Sequence, residues 1–450
     1  MDSSIKIETI LFKFIPIICC IAVTSMFFFP FEFRALAGYG LNSKKMLAAL
    51  SLVILFFKMV NSGTAINKDF INISLLACLV SLCGVMSVIF NDTLDYSYAT
   101  YISSAWVWWG AAYTACQVIK LVHGKIDWIL VINYLVAVCV FQCFMALWMD
   151  FYPNVKETVN SIVLQNDKDM DFAGNVHRLY GIGAMLDVAG SRFAAILVMI
   201  IYLIANSDLK KRWYEYFLYL LAFIFISVAG SMIARTTLVG VVVGLLYLAY
   251  VTIRQIQTME RNYSKMWGWL IGLLLIAVPV LVNQYNTDSA MRKYLRFGFE
   301  GFFNYAEQGT FSYSSNEKLK TMYVWPDNIK TWIVGDGYFE NPRYVDPFYV
   351  GELYLGYYKA TDVGYLRFIY YFGLIGLFFF SWYFIKVGQV CMHKFPQWKT
   401  LFLLLLLVHF AVWAKVSTDI FLVFAMFLCL DEEVEEEEEE LEDELELEVT

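Results

Sequence analysis

The sequence predicts an all-α fold: a polytopic membrane helix bundle of about twelve transmembrane helices with one large loop on its outer face. Three observations predict it. The 450 residues are 60% hydrophobic and 18% aromatic with only 16% charged, at a mean hydropathy of +0.58, far from the balance of a soluble domain. The apolar residues fall in runs of roughly 17 to 25, the length a bilayer core demands. The short segments between runs carry Lys and Arg in an alternation that sets an orientation.

Taken in order, the runs place spans near 9–29, 45–61, 70–90, 99–120, 127–149, 186–206, 214–233, 236–253, 267–283 and 363–387. Two shorter ones lie near 399–413 and 416–430, separated by Lys415. The first, TILFKFIPIICCIAVTSMFFF, is followed by Pro30 and Phe31 rather than a small-residue cleavage site, so it reads as an uncleaved span. The segments SDLKKRW (207–213), RQIQTMERNYSK (254–265) and QVCMHKFPQWK (389–399) are basic and fall on one face, which the positive-inside rule makes cytoplasmic. Two long loops, 150–185 and 284–362, then lie outside. GVVVG at 240–244 reads as a helix-packing motif.

The formal charge of −8 comes from the C-terminal residues 431–450, which hold 14 of the 41 acids and no base; the remaining 27 acids face 33 bases, a balance of +6. Dense glutamates repel one another and bury no core, so this tail reads as a solvated cytoplasmic extension, dispensable for chemistry. The basic body suits an anionic lipid surface or an anionic substrate, although loop lysines that set topology give the same excess. Eight of nine cysteines fall in apolar runs, and Cys391 lies in a basic loop, so no disulfide framework is expected. No His/Cys/acid cluster has metal-ligand spacing, and no cofactor is expected. Nucleotide-binding motifs are missing and the cytoplasmic loops are too short to fold a catalytic domain; nothing suggests a nucleic-acid partner.

Charged groups at span mouths carry the chemistry, because each costs a few kcal/mol near hydrocarbon unless it finds a partner or a water-filled cavity. HRLYGIGAMLDVAGSRF (177–193) brackets a span entry with Arg178 and Arg192 and interposes Gly181, Gly183 and Gly190. VAGSMIARTTLVG (228–240) puts Arg235 at an outer turn. VWPDNIKTWIVGDGYFENPRY (324–344) contains a G-D-G turn around Asp336, followed by Tyr338. TDVGYLRFIYYFGLIGLFFF (361–380) opens a span with Asp362, Tyr365 and Arg367. An arginine at a span end can snorkel to lipid phosphate, and Asp362 can act as a helix N-cap. Three arginines on the outer face, against the positive-inside bias, suit forked binding of phosphate instead. The loop at 284–362 holds about twenty aromatic residues, enough for an interfacial belt, a loop core or a groove that stacks on sugar faces.

The Arg-plus-Gly entry (Arg178, Gly181), the S-x-x-x-R turn (Ser231, Arg235), the late G-D-G turn and TDVGYLR running into FGLIG resemble the O-antigen and capsular polysaccharide polymerases. These are the Wzy-like members of the O-antigen polymerase and ligase superfamily. The resemblance covers roughly residues 175 to 430; the first five spans match only in being spans. It implies a metal-independent glycosyltransferase in the cell inner membrane, the large loop being periplasmic. Such an enzyme moves a glycan from an undecaprenyl-pyrophosphate carrier onto a carrier-linked repeat unit, working among membrane lipids beside a flippase and a chain-length regulator. Related ligases tend to place a histidine where this chain has Thr361 and Asp362, a departure that favours polymerase.

On that reading Asp362 is the catalytic base, and Arg178, Arg192 and Arg235 bind pyrophosphate. Arg367, Tyr365, Tyr338 and Asp336 orient the base or hold the acceptor. The alternatives are a ligase delivering glycan to lipid A core, and a lipid-linked oligosaccharide flippase or other transporter.

Overall fold

The computed structural model describes residues 2–62, 68–164, 174–206, 212–258 and 264–430. The acidic tail, the basic segments 207–211 and 259–263, and part of the 150–185 loop lie outside the described residues. The helices are α1 (Asp2–Phe28), α2 (Ser43–Ser62), α3 (Lys68–Asn91), α4 (Tyr101–His123), α5 (Trp128–Phe151), α6 (Pro153–Ile162), α7 (Leu186–Ala205), α8 (Trp213–Ile233) and α9 (Thr237–Thr258). They continue with α10 (Ser264–Thr287), α11 (Ser289–Gly298), α12 (Glu300–Gln308), α13 (Ser314–Thr321), α14 (Ile329–Val334), α15 (Pro342–Val345), α16 (Gly364–Lys394), α17 (Lys399–Trp413) and α18 (Phe421–Leu428). Among the described residues the one β-ladder joins Glu32–Phe33 to Val163–Leu164, antiparallel. Among the described residues, eight helical segments are long and apolar enough to cross a membrane: α3, α5, α7, α8, α9, α10, α16 and Pro396–Trp413. The chain is an all-α, multi-pass membrane bundle.

Its centre is α7, buried on every side from Ala189 to Ala205. Small residues allow this. A Cβ on Gly240 of α9 would lie 2.3 Å from the Ala194 carbonyl, and one on Gly190 would lie 2.7 Å from Ala234 Cβ, so the backbones meet as small-xxx-small packing predicts. Cys391 proves to be buried inside α16, not in a loop: the helix continues to Lys394, because the residues before Phe395 and Pro396 still have an apolar bundle face to cover.

With 31 residues, α16 is longer than a bilayer core and it is broken once. Phe372 (φ −132°, ψ 15°) and Gly373 (φ 67°, ψ −170°) leave helical geometry. The part from Gly373 to Lys394 is about 33 Å long at 1.5 Å per residue, enough by itself for a core of about 30 Å. The part that begins at Gly364, which carries Arg367, is therefore length beyond what one crossing requires.

The break frees carbonyls, and the outer loop satisfies them. Tyr370 O accepts the Asp336 N–H at 2.6 Å, and Tyr371 O accepts the Gly337 N–H at 3.1 Å and the Ser87 hydroxyl at 2.5 Å. Gly335 (φ 79°) and Gly337 (φ 75°) make the turn possible, and Gly373 is required twice over. Its φ is left-handed, and a Cβ there would lie 2.1 Å from the Ile333 carbonyl. Asp95, buried after α3, fixes the next stretch by accepting the N–H groups of Phe339 and Glu340 at 2.7 and 2.8 Å.

The last leg is also discontinuous. Arg367 donates to Ser417 Oγ at 2.5 Å near one end of α16, and Lys394 donates to the Leu428 and Leu430 carbonyls at 3.3 and 3.0 Å at the other. Residues 417–430 thus cover the same depth as 367–394. The eight-residue α18 supplies about 12 Å of it, and non-helical Val416–Ile420 supplies much of the rest.

Replacing Gly373 with Ala should destabilise the protein by at least about 1–3 kcal/mol, the cost of a strained backbone position, with the carbonyl clash added. Thermal unfolding in detergent, followed by the emission of tryptophans in the bundle, measures it. A melting temperature equal to wild type would mean that the loop and the break are not coupled.

Candidate functional site

The segment after His177 is pinned first. Leu179 N–H donates to Met232 O at 3.1 Å and Gly181 N–H to Ala184 O at 2.9 Å, while Gln142 Oε1 accepts the Ile182 N–H at 2.8 Å. Gly181 and Gly183 are packed against Gln142 and the Phe29 carbonyl, where a Cβ would lie 2.5 and 2.6 Å from its neighbours. These contacts hold Arg178 beside the end of α8. Its guanidinium lies 3.7 Å from Asp187, in the first turn of α7, and 4.8 Å from the centroid of the Phe297 ring.

Arg235 sits at the corner between α8 and α9 and packs on the same ring, at 4.3 Å. It is held at three nitrogens: Nε donates to Phe297 O (2.8 Å), one terminal nitrogen to Ser315 Oγ (2.9 Å), and the other pairs with Glu300 (2.7 Å). Burial pulls its pKa down, with Glu300 acting against the shift. The neighbouring Thr236 hydroxyl donates to Asp187 at 2.5 Å, which ties the two corners together.

Lys415, in the turn after α17, lies within electrostatic reach of Asp187, Arg178, Arg235 and Asp362, and burial lowers its pKa. Asp362 completes the group. Half-buried, it accepts no hydrogen bond and forms no ion pair with the described residues. Burial raises its pKa against the pull of Arg367, Lys318 and Lys415. It does not cap α16: Val363 holds that position, without a side-chain cap bond. Arg178, Asp187, Arg235, Asp362 and Lys415, from separate stretches of chain, therefore share one site where the start of α7, the end of α8, the start of α16 and the end of α17 meet.

The other expected residues stand elsewhere. Arg367 does not grip Asp362. Its guanidinium lies 3.8 Å from the Phe339 ring centroid and 3.3 Å from that of Tyr357, donates to Phe339 O (3.0 Å) and Ser417, and pairs with Glu340 at 3.2 Å. One turn inside α16, it points at the docked loop, so it acts on Asp362 through space alone. Burial pushes the Glu340 carboxyl up. Tyr365 donates to Phe410 O at 2.9 Å and Tyr338 to Asp346 at 2.5 Å. Asp336 accepts from Thr331 (2.6 Å), Lys330 (3.2 Å) and Tyr358 (3.2 Å), as the anchor of the G-D-G turn. Arg192 faces away from this site, toward the end of α1.

Asp187, Glu300 and Lys415 are the members that sequence reasoning passed over. Asp187 stands inside the 177–193 stretch, where an acid opening a span beside two arginines was the available signal. Lys415 served only to divide two spans. Among the described residues no group of three or more His, Cys, Asp or Glu side chains assembles into a metal-binding set. No protein-family model, curated protein or solved structure matches the chain significantly.

Glu300→Gln should cost about 1–3 kcal/mol. The Arg235–Glu300 side chains are only 9% and 18% exposed, so the cost falls somewhat short of that for breaking a fully buried pair. A double-mutant cycle with Arg235→Gln, read by thermal unfolding, checks this; additive effects would mean the pair contributes nothing.

Proposed function

We propose that the protein is a polysaccharide polymerase of the cell inner membrane, with twelve spans and a periplasmic outer loop. It transfers a glycan from an undecaprenyl-pyrophosphate carrier to a carrier-linked repeat unit, as a metal-independent glycosyltransferase. The observation that carries the reading is the convergence of three cations, Arg178, Arg235 and Lys415, with a carboxyl that has no hydrogen-bond partner, Asp362, at the outer mouths of spans.

The chemistry asks for two things. The acceptor hydroxyl attacks the donor's anomeric carbon as the bond from that carbon to the phosphate oxygen breaks. The hydroxyl proton goes to Asp362, and the bonding electrons leave with the lipid diphosphate. Charge builds on that leaving group, and preorganised cations lower its energy most in the transition state. The carboxylates that pair with the arginines hold their forks in place before substrate arrives. Burial has already raised the pKa of Asp362, which makes it a stronger base than an exposed carboxylate. The membrane aligns both carriers and so supplies proximity.

Three outcomes are expected in single-turnover extension of a lipid-linked repeat by purified protein. Asp362→Asn should insert normally and lose about 10²- to 10⁴-fold in rate, the range for a positioned base. Arg178→Ala or Arg235→Ala should lose about 2–4 kcal/mol of transition-state stabilisation, the range for a lost preorganised donor. Because burial raises the Asp362 pKa, the acid limb of kcat/KM should lie above the ordinary carboxylate value of about 4; activity falls as pH drops through it, and the limb is lost in Asp362→Asn. An Asn variant within a few-fold of wild type would remove Asp362 as the base.

A further inference from the structure

The bundle contains a second ionic cluster that this chemistry leaves idle. Arg192 lies five residues further into α7 than Asp187 and is buried at 6% exposure. One terminal nitrogen donates to the Phe28 carbonyl at the end of α1, while Nε is buried without a hydrogen-bond partner. Lys44, in the first turn of α2, places Nζ 4.0 Å from a Trp108 ring centroid, and the Arg192 guanidinium lies 5.5 Å from the Trp108 ring. Two cations therefore share one indole. Asp419, on the non-helical last leg, is the acid within electrostatic reach of both.

With both bases and the acid ionised, the cluster carries a net charge of +1. A purely structural ion group inside a membrane bundle is expected to be neutral, because each uncompensated charge there is costly. A bound anion would remove the excess and the repulsion between Lys44 and Arg192. A guanidinium beside an ammonium is donor chemistry suited to phosphate. Lys44 and Asp419 are half-buried, each keeping some exposed surface. The leg that carries Asp419 begins at Lys415 of the first site, and four residue steps bound the separation of their backbones at about 14 Å.

We infer that Lys44 and Arg192 bind the phosphate head of the acceptor's lipid carrier. The inference rests on the polymerase reading, in which two carrier-linked molecules meet. The donor's pyrophosphate must adjoin the base, because the bond that breaks is its own, and that requirement assigns it to Arg178, Arg235 and Lys415. The acceptor reacts at the end of its repeat unit remote from its carrier, so its pyrophosphate belongs at a separate cationic site within reach of the first. Lys44 and Arg192 supply one.

The test titrates the full chain in nanodiscs with undecaprenyl pyrophosphate and counts bound lipid by native mass spectrometry. Wild type should bind two equivalents. Lys44→Ala should weaken one of them about tenfold or more and leave the other unchanged, Lys44→Arg should keep both, and Arg178→Ala with Arg235→Ala should weaken the other. Lys44 is the position of choice because Arg192 also anchors α1. In extension assays Lys44→Ala should raise the acceptor KM with kcat little changed. A single equivalent on wild type, or Lys44→Ala with wild-type binding, overturns the inference. So does inorganic pyrophosphate that displaces this lipid with equal potency, which would assign the site to a free anion. Two equivalents, one of them Lys44-sensitive, on a wild-type protein that extends nothing would overturn the polymerase reading and leave the second headgroup site standing.

Discussion

The break in α16 at Phe372 and Gly373 is the constraint on which the outer half of the molecule depends. An unbroken helix would satisfy its own carbonyls and give the outer loop nothing to hold. Because the helix opens, Tyr370 O and Tyr371 O take the N–H groups of Asp336 and Gly337, and the turn that donates them is fixed against the helix. Everything attached to that turn inherits its position. Phe339 and Glu340 are seated on Asp95 two residues later, and the Phe339 ring and carbonyl then receive Arg367. An arginine one turn into an apolar helix is thus held by protein and lies beyond the length that must cross lipid.

The same geometry governs the charges. An isolated arginine near hydrocarbon would snorkel, but Arg235 is tied at three nitrogens to Phe297, Ser315 and Glu300. It shares the Phe297 ring with Arg178. Cations and carboxylates interleave across the site: Arg178 with Asp187, Arg235 with Glu300, Lys415 near Asp362. Interleaving lets a half-desolvated site exist without substrate, since no charge is left alone to pay the full desolvation cost. Asp362 differs from the other two acids in having no ion-paired cation, and burial raises its pKa against the through-space pull of Arg367, Lys318 and Lys415.

Much of the fold was legible because hydrophobic run length is the strongest signal a membrane chain carries. The spans at 70–90, 127–149, 186–206 and 214–233 agree closely with α3, α5, α7 and α8. The last span was harder to read. Residues 416–430 are apolar enough to suggest a helix, but only Phe421–Leu428 winds into one, because Ser417, Thr418 and Asp419 have partners outside a helix. Arg367 donates to Ser417, and the Trp413 indole N–H donates to Thr418 O at 2.9 Å. For the candidate site, the stretches that carry Arg178, Arg235 and Asp362 could be picked out as span mouths against the topological bias. Of their acid partners, Asp187 left a local signal beside Arg178, but Glu300 left none, since its pairing with Arg235 depends on how α11 and α12 fold back over the α8–α9 corner. The surroundings of Arg367 were hidden for a related reason. Five residues from Asp362, it looked like its natural partner, whereas helical geometry turns it toward the loop.

The two discontinuities lie side by side, and that adjacency explains why ionisable groups gather where they do. Irregular backbone at membrane depth is tolerated only where protein buries it or where it lines a hydrated cavity. At α16 the docked turn buries it. Along Val416–Ile420, Val416 to Asp419 are half-buried and Ile420 is buried. Lys415 stands at one end of this leg, within electrostatic reach of Asp362, and Asp419 toward the other, within reach of Lys44 and Arg192. The Arg367–Ser417 bond fixes where the leg leaves the helix. The unwound leg therefore brings Lys415 and Asp419 to the charged groups of α2, α7 and the α16 entry, a placement that a straight final helix of Leu and Phe would have filled with apolar side chains.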